Sequence, residues 1–137
     1  IFYRLQNQTI AQVALSNGMN LELLFSQLKQ VRSRISLPLI LMGYLNPVEQ
    51  FGYERFIEAC KLVGIDGLIL PDMPLDLYKS RFKKILNENN IHGILLATPT
   101  SSDQRIKELD SLSTSFLYAV SSTAVSVDSA RGELLYT

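Results

Sequence analysis

The sequence is poor in the residues that thiol and metal chemistry need, with one cysteine, Cys60, and one histidine, His92, among 137 residues. A single cysteine excludes an intrachain disulfide and fits a reducing compartment, so the expected location is the cytoplasm. One cysteine and one histidine do not make a zinc site, and no metal is expected. Cys60 stands in an apolar stretch of helical period with no histidine near it, the pattern of a buried structural thiol rather than a nucleophile. His92 sits at the entrance of an apolar run and reads as structural. Net charge is lacking too, since 13 Lys and Arg offset 13 Asp and Glu. No basic field is available to draw nucleic acid or an anionic membrane surface. No apolar run approaches the roughly 18 residues of a membrane span. Ile1 to Gln8 lack the charged-then-apolar pattern of a secretory leader. No G-x-G-x-x-G or G-x-x-x-x-G-K motif occurs, so nucleotide binding has no support. The chain opens on Ile1 rather than methionine, the first sign of a piece of something longer.

What the sequence does have is alternation. Four short apolar runs, Leu37 to Met42, Gly67 to Leu70, Gly93 to Ala97 and Ser115 to Val120, read as strands buried on both faces. Longer segments of helical period lie between and before them. Leu21, Leu24, Phe25, Leu28 and Val31 share one helix face, with Asn20 as N-cap. Phe51 to Val63 carries Phe56, Ile57, Cys60 and Val63 on one stripe, with Pro47 tolerated at a helix start and Gly64 as terminator. Asp76 to Asn89 carries Leu77, Phe82, Ile85 and Leu86. Ser101 or Ser102 caps a shorter helix through Asp110, with Ile106 and Leu109 facing inward. A short helix is expected over Thr9 to Ser16. Strand–helix–strand order implies parallel pairing with right-handed crossovers, and residues 1–137 show no linker, so one α/β domain is expected. The period of about 25 to 29 residues suits a β/α barrel and equally a doubly wound sheet. Four strands cannot close an eight-stranded barrel. The pattern is therefore either a small open α/β domain or a slice of a barrel, four parallel strands with flanking helices.

Both architectures bind ligands at the carboxyl ends of the strands. Those ends carry Gly43 to Pro47, Pro71 to Pro74, Thr98 to Ser102 and Ser121 to Thr123. Asp72 is the one acidic residue among them. It is a candidate base, positioning group or partner contact, but turn chemistry, capping the helix that follows or making an Asx-turn, is the favoured reading of the residue alone. Ser121, Ser122 and Thr123 offer hydroxyls and backbone N–H groups to a phosphate.

The stretches LPLILMGYLNPVEQFG, VGIDGLILPDMPLD, LLATPTSSDQRI and FLYAVSS, in that order and spacing, resemble the tryptophan synthase α subunit family. ALSNGMNLELLFSQLKQVR resembles its segment before the third barrel strand, and I-D-G-x-I-x-P-D-x-P is the most specific block. The resemblance implies a partial TIM (β/α)8 barrel, strands three to six. It also implies a carbon–carbon lyase of tryptophan biosynthesis, cleaving indole-3-glycerol phosphate by a retro-aldol step to indole and glyceraldehyde 3-phosphate. That chemistry needs proton transfer at the indole ring and at a glycerol hydroxyl, for which the family uses a glutamate and an aspartate. No Asp or Glu precedes Glu22, so neither acid finds a match, no catalytic residue is assigned, and these residues alone are expected to be inactive. Tyr118 matches the family tyrosine that faces substrate and orients the catalytic aspartate, and a core tyrosine explains it as well. Leu41 and Ile69 match positions lining the indole pocket, or are plain barrel core. Ser126 falls near a threonine of the loop after strand six, where the family's glycine pattern has become Ala124-Val125-Ser126-Val127. Tyr44, Asn46, Asp72 and Pro74 lie in loops that touch the β subunit, the family's partner and the holder of its pyridoxal phosphate. No cofactor is implied for this chain itself. The alternative is a non-catalytic α/β binding or interaction module derived from a barrel.

Overall fold

The computed structural model describes residues 20–121 and two further short strands, Ser126–Asp128 and Glu133–Leu135. The helix expected over Thr9 to Ser16 lies outside the described residues.

Helix α1 spans Leu21–Arg32 and starts where Asn20 Oδ1 accepts the Leu23 N–H at 2.8 Å. Strand β1, Ile40–Met42, leads through the Gly43–Tyr44 link into α2, Leu45–Phe51, and α3, Tyr53–Val63. The single helix expected over Phe51 to Val63 is thus preceded by a separate turn of helix. The break falls at Gly52, whose φ of 96° is open to glycine and strained for other residues. Gly64, at φ 84°, ends α3, and the Ile65 N–H returns to Cys60 O at 2.9 Å. Strand β2 is Gly67–Ile69.

Helix α4 then runs over 75–88 in three parts: Leu75–Leu77, a π-helical turn Tyr78–Phe82, and Lys83–Glu88. Its buried face is Leu75, Tyr78, Phe82 and Leu86, with Leu77 and Ile85 half-buried at its edges; Leu75 and Tyr78 were not foreseen. The third apolar run splits into β3, His92–Gly93, and β4, Leu95–Ala97. Ser102 caps α5, Asp103–Leu112, and accepts the Arg105 N–H at 3.2 Å. Leu109 is buried there as expected; Ile106 is not, at 38% exposed. Strand β5 is Leu117–Ala119, and the antiparallel hairpin of β6, Ser126–Asp128, and β7, Glu133–Leu135, was not foreseen.

The strands follow chain order and run parallel: β1 beside β2, β2 beside β3, β4 beside β5. The third run serves both neighbours, its first half registering Gly67 with His92 and its second half Leu95 with Leu117. Ile94 bridges the halves by donating its N–H to Leu68 O at 3.0 Å. Such a stagger belongs to a sheet that tilts and curls toward a barrel.

Side chains alternate across this sheet. One face carries Leu39, Leu41, Leu68, Leu70 and Ile91 into a single cluster with Phe25, Phe56, Ile57, Cys60, Phe82, Leu86 and Leu109 of the helices. Ile69 and Ile94 are buried outside that cluster, on the other face. Gly67 marks that face: a Cβ built on it would lie 2.9 Å from Ile94 Cδ1 and 3.3 Å from Ile40 Cγ1. Helices therefore cover one side of the described sheet, the arrangement of barrel staves rather than of a doubly wound sheet. The expectation of strands buried on both faces is met only by β2, because Met42 and Ala119 are exposed and β4 is half-buried throughout.

Candidate functional site

The carboxyl ends of β1, β2, β4 and β5 all point to one rim, since the strands are parallel. The Gly43 N–H donates to Ile69 O at 3.1 Å, and the Leu45 N–H donates to Asp72 Oδ1 at 2.9 Å. Asp72 thus caps α2, the helix of the neighbouring unit, and not the helix that follows it in sequence. Tyr44, the N-cap residue of α2, makes no side-chain cap of its own. The turn carrying Asp72 closes with the Met73 N–H on Leu70 O at 3.1 Å.

The third rim segment is a knot of hydroxyls. Ser101 Oγ accepts the Thr98 N–H at 3.0 Å, and Thr98 Oγ1 lies 3.1 Å from Thr100 Oγ1 and 3.0 Å from Ser101 Oγ. The fourth strand joins through the Val120 N–H on Ala97 O at 3.0 Å. Ser121 is exposed, while Ser122 and Thr123 lie outside the described residues.

Of the pocket-lining candidates, Ile69 is 2% exposed and shares the helix-free face with half-buried Tyr118, which registers with Leu96 on that face. Leu41 does not join them. It packs into the helix-facing cluster, in register with Leu68, so its side chain points away from Ile69 and Tyr118. The neighbour that shares their face is Met42, in register with Ile69 and 44% exposed. Sequence reasoning did not single out Met42, Ile94 or Leu96, which share this face. The available signal was Gly67, a strand glycine that marks close approach on the inner face. Ser126 opens β6 opposite Leu135 instead of lying in a loop.

The partner-contact candidates do gather. Tyr44, Asn46, Asp72 and Pro74 are all exposed; Tyr44 and Asn46 sit at the start of α2 and Asp72 and Pro74 on the next loop, the two segments bonded through Leu45 and Asp72. Cys60 is fully buried, and burial pushes its thiol up to about 12, far from nucleophile range. Among the described residues no cluster of three His, Cys, Asp or Glu side chains is placed to hold a metal, and no helix is long and apolar enough to cross a membrane. A cavity of about 100 Å³ lies largely in the helix-facing layer, lined by Leu68, Leu70, Tyr78, Gly93 and Leu109 among others. Pro71 and Met73 close it on the side of the rim.

The family model described as tryptophan synthase alpha chain matches residues 6–134. The tryptophan synthase alpha chain of Flavobacterium psychrophilum is 45% identical over 124 residues, covering 90% of this chain and 49% of its own length. That of Bacteroides fragilis strain YCH46 is 46% identical over 117 residues, 85% of this chain and 44% of its own. The chain spans about half the length of the curated relatives it matches. Among solved structures, the tryptophan synthase complex from Pyrococcus furiosus superposes with a TM-score of 0.74 at 32% identity, over 87% of this chain and 50% of that one. The alpha chain from Legionella pneumophila gives 0.73 at 29% identity, over 84% and 46%.

Proposed function

The chain belongs to the tryptophan synthase alpha chain family, and on that premise we propose that residues 20–121 form one wall and the partner-facing rim of an indole-3-glycerol phosphate lyase. The observation that carries the reading is the parallel, chain-order array of strands with all its polar loops on one rim. In this reading Ile69 and Tyr118 face the indole ring from the helix-free side of the sheet, joined by Met42 in the place first given to Leu41. An apolar wall of this kind orients a flat aromatic ring, and the Tyr118 hydroxyl supplies a polar handle beside it. Retro-aldol cleavage needs carboxylates placed for proton transfer, and Asp72 is committed to capping α2, so residues 20–121 bind and orient while proton transfer is assigned to groups outside them. Ser126 is proposed to neighbour the same site. Tyr44, Asn46, Asp72 and Pro74 form the face toward a β subunit; one solved relative is the tryptophan synthase α2β2 complex from Pyrococcus furiosus. No cofactor role is proposed for this chain.

The test is a chimera. Residues 20–121 replace their counterparts in the Flavobacterium psychrophilum alpha chain, and indole release from indole-3-glycerol phosphate is measured. Activity within about tenfold of the parent is expected, and the 137 residues alone are expected to release none. A folded but inactive chimera that still binds the β subunit would favour the non-catalytic interaction module instead.

A further inference from the structure

We propose that Asp72 is a positioning residue for partner docking, holding the start of α2 that presents Tyr44 and Asn46 without supplying the docking contact itself. The inference rests on the reading of this rim as the partner face. Helix α2 begins with orphan N–H donors, and Tyr44 leaves them without a side-chain acceptor. Asp72, from the next loop, accepts the Leu45 N–H at 2.9 Å. Two residues earlier the Gly43 N–H is held by Ile69 O at 3.1 Å.

The link is therefore stapled on both sides of Tyr44, whose extended backbone (φ −89°, ψ 155°) leaves its side chain 50% exposed. Asn46, one residue beyond the second staple, is exposed as well. The anchor is stiff: Asp72 sits between Pro71 and Pro74, and the Met73 N–H closes its turn on Leu70 O at 3.1 Å. A residue whose backbone is held on both sides binds without first losing the freedom of a loose loop. Removing the staple costs the ordering of that segment, whatever the partner touches.

Asp72→Asn keeps a side-chain oxygen that accepts the Leu45 N–H and removes the charge; Asp72→Ala removes both. Two quantities are measured on the full chain: amide hydrogen exchange at Leu45, and affinity for the β subunit from Flavobacterium psychrophilum. D72A should speed Leu45 exchange and weaken binding by roughly fivefold each, the effect of a lost helix cap. D72N should retain most of both. The proposal is overturned if Leu45 exchange is unchanged in D72A, or if D72N loses as much affinity as D72A while Leu45 stays protected, since Asp72 would then act as a charged contact. Equal affinity of D72A and wild type sinks the positioning role alone. A wild-type chain that does not bind the β subunit sinks the partner reading and the positioning role together.

Discussion

Arg32 and Asp66 meet at 3.3 Å at the amino-terminal end of the sheet, opposite the rim that carries Asp72. The same Asp66 oxygen accepts the Leu39 N–H at 2.8 Å, while Arg32 Nη1 donates to Leu37 O at 2.7 Å. One carboxylate thereby fixes the register of β1 on β2 and ties α1 beneath both. On the proposed function, the two aspartates of the I-D-G-x-I-x-P-D-x-P block divide the labour of a barrel, Asp66 at the end that serves stability and Asp72 at the end that serves function. Asp66→Ala should lower unfolding free energy by about 1–3 kcal/mol, the cost of orphaned hydrogen-bonding groups. Urea denaturation checks it as a lower midpoint at unchanged slope. The same substitution in the active chimera should leave the rate constant for indole release unchanged; a loss of rate without a loss of stability would contradict the division.

Gly93 is required by Tyr78. A Cβ on Gly93 would run into the Tyr78 hydroxyl and lie 2.8 Å from Tyr78 Cε2, and Tyr78 is 3% exposed. Gly93→Ala should cost about 1–3 kcal/mol through overpacking. Tyr78→Phe removes the nearest atom and should recover part of that loss when the two are combined. A double-mutant cycle by thermal or urea unfolding reads the coupling, and strict additivity would mean the two residues do not touch.

The helix caps and stops were legible, because Asn20, Gly64 and Ser102 act on neighbours in sequence. The sheet order was legible for a similar reason, since alternating strands and helices admit few topologies. What escaped was phase. A continuous apolar run such as Leu37 to Met42 carries no alternation to say which residues face the helices, so it could not decide between the pocket place that the resemblance implies for Leu41 and the barrel core where Leu41 lies. In α4 the buried stripe Leu75, Tyr78, Phe82 and Leu86 keeps a regular helical period through the π-helical turn, and Tyr78 was passed over because its ring carries a hydroxyl that a count of apolar residues leaves out. The Asp72–Leu45 bond spans 27 residues, and its capping role only appears once two loops lie side by side.

Neighbouring helices are linked on the outside by ion pairs. Glu22 meets Arg55 between α1 and α3, Glu54 meets Arg81 at 2.6 Å between α3 and α4, and Lys79 meets Glu108 between α4 and α5. Arg55 and Arg81 also lie over the rings of Phe51 and Tyr53, at 4.4 and 4.8 Å. The hydrogen bond from Arg81 holds Glu54 below its ordinary pKa, and that from Lys79 does the same for Glu108. A lowered carboxyl contributes stability above its unfolded pKa and loses it as pH falls through the folded value. The melting temperature should therefore drop from about pH 7 to about pH 3. Because the pairs are exposed, about 1 M salt should shrink the difference. A salt-independent drop would assign the acid sensitivity to other groups.

Cys60 offers a probe of the core at the other end of the pH scale. Its side chain is 0% exposed inside the cluster that joins α3 to the sheet, and burial raises the thiol from 9.0 to about 12. In the unfolded chain the thiol ionises near its ordinary value, while in the folded chain it stays neutral. Its contribution to stability is thus complete below about pH 9 and is lost as pH climbs toward about 12. At about pH 10.5 the loss is on the order of 2 kcal/mol. The urea midpoint should therefore fall more steeply between about pH 9 and about pH 11 in the wild type than in Cys60→Ala, whose lower starting stability reflects the cavity. Near neutral pH a thiol reagent should modify Cys60 only when the chain opens, so that labelling follows the population of the unfolded form as urea is added. Labelling in native buffer as fast as that of a free thiol would mean that α3 does not pack on the strands, and the wall that Ile69 and Tyr118 build would lose its support.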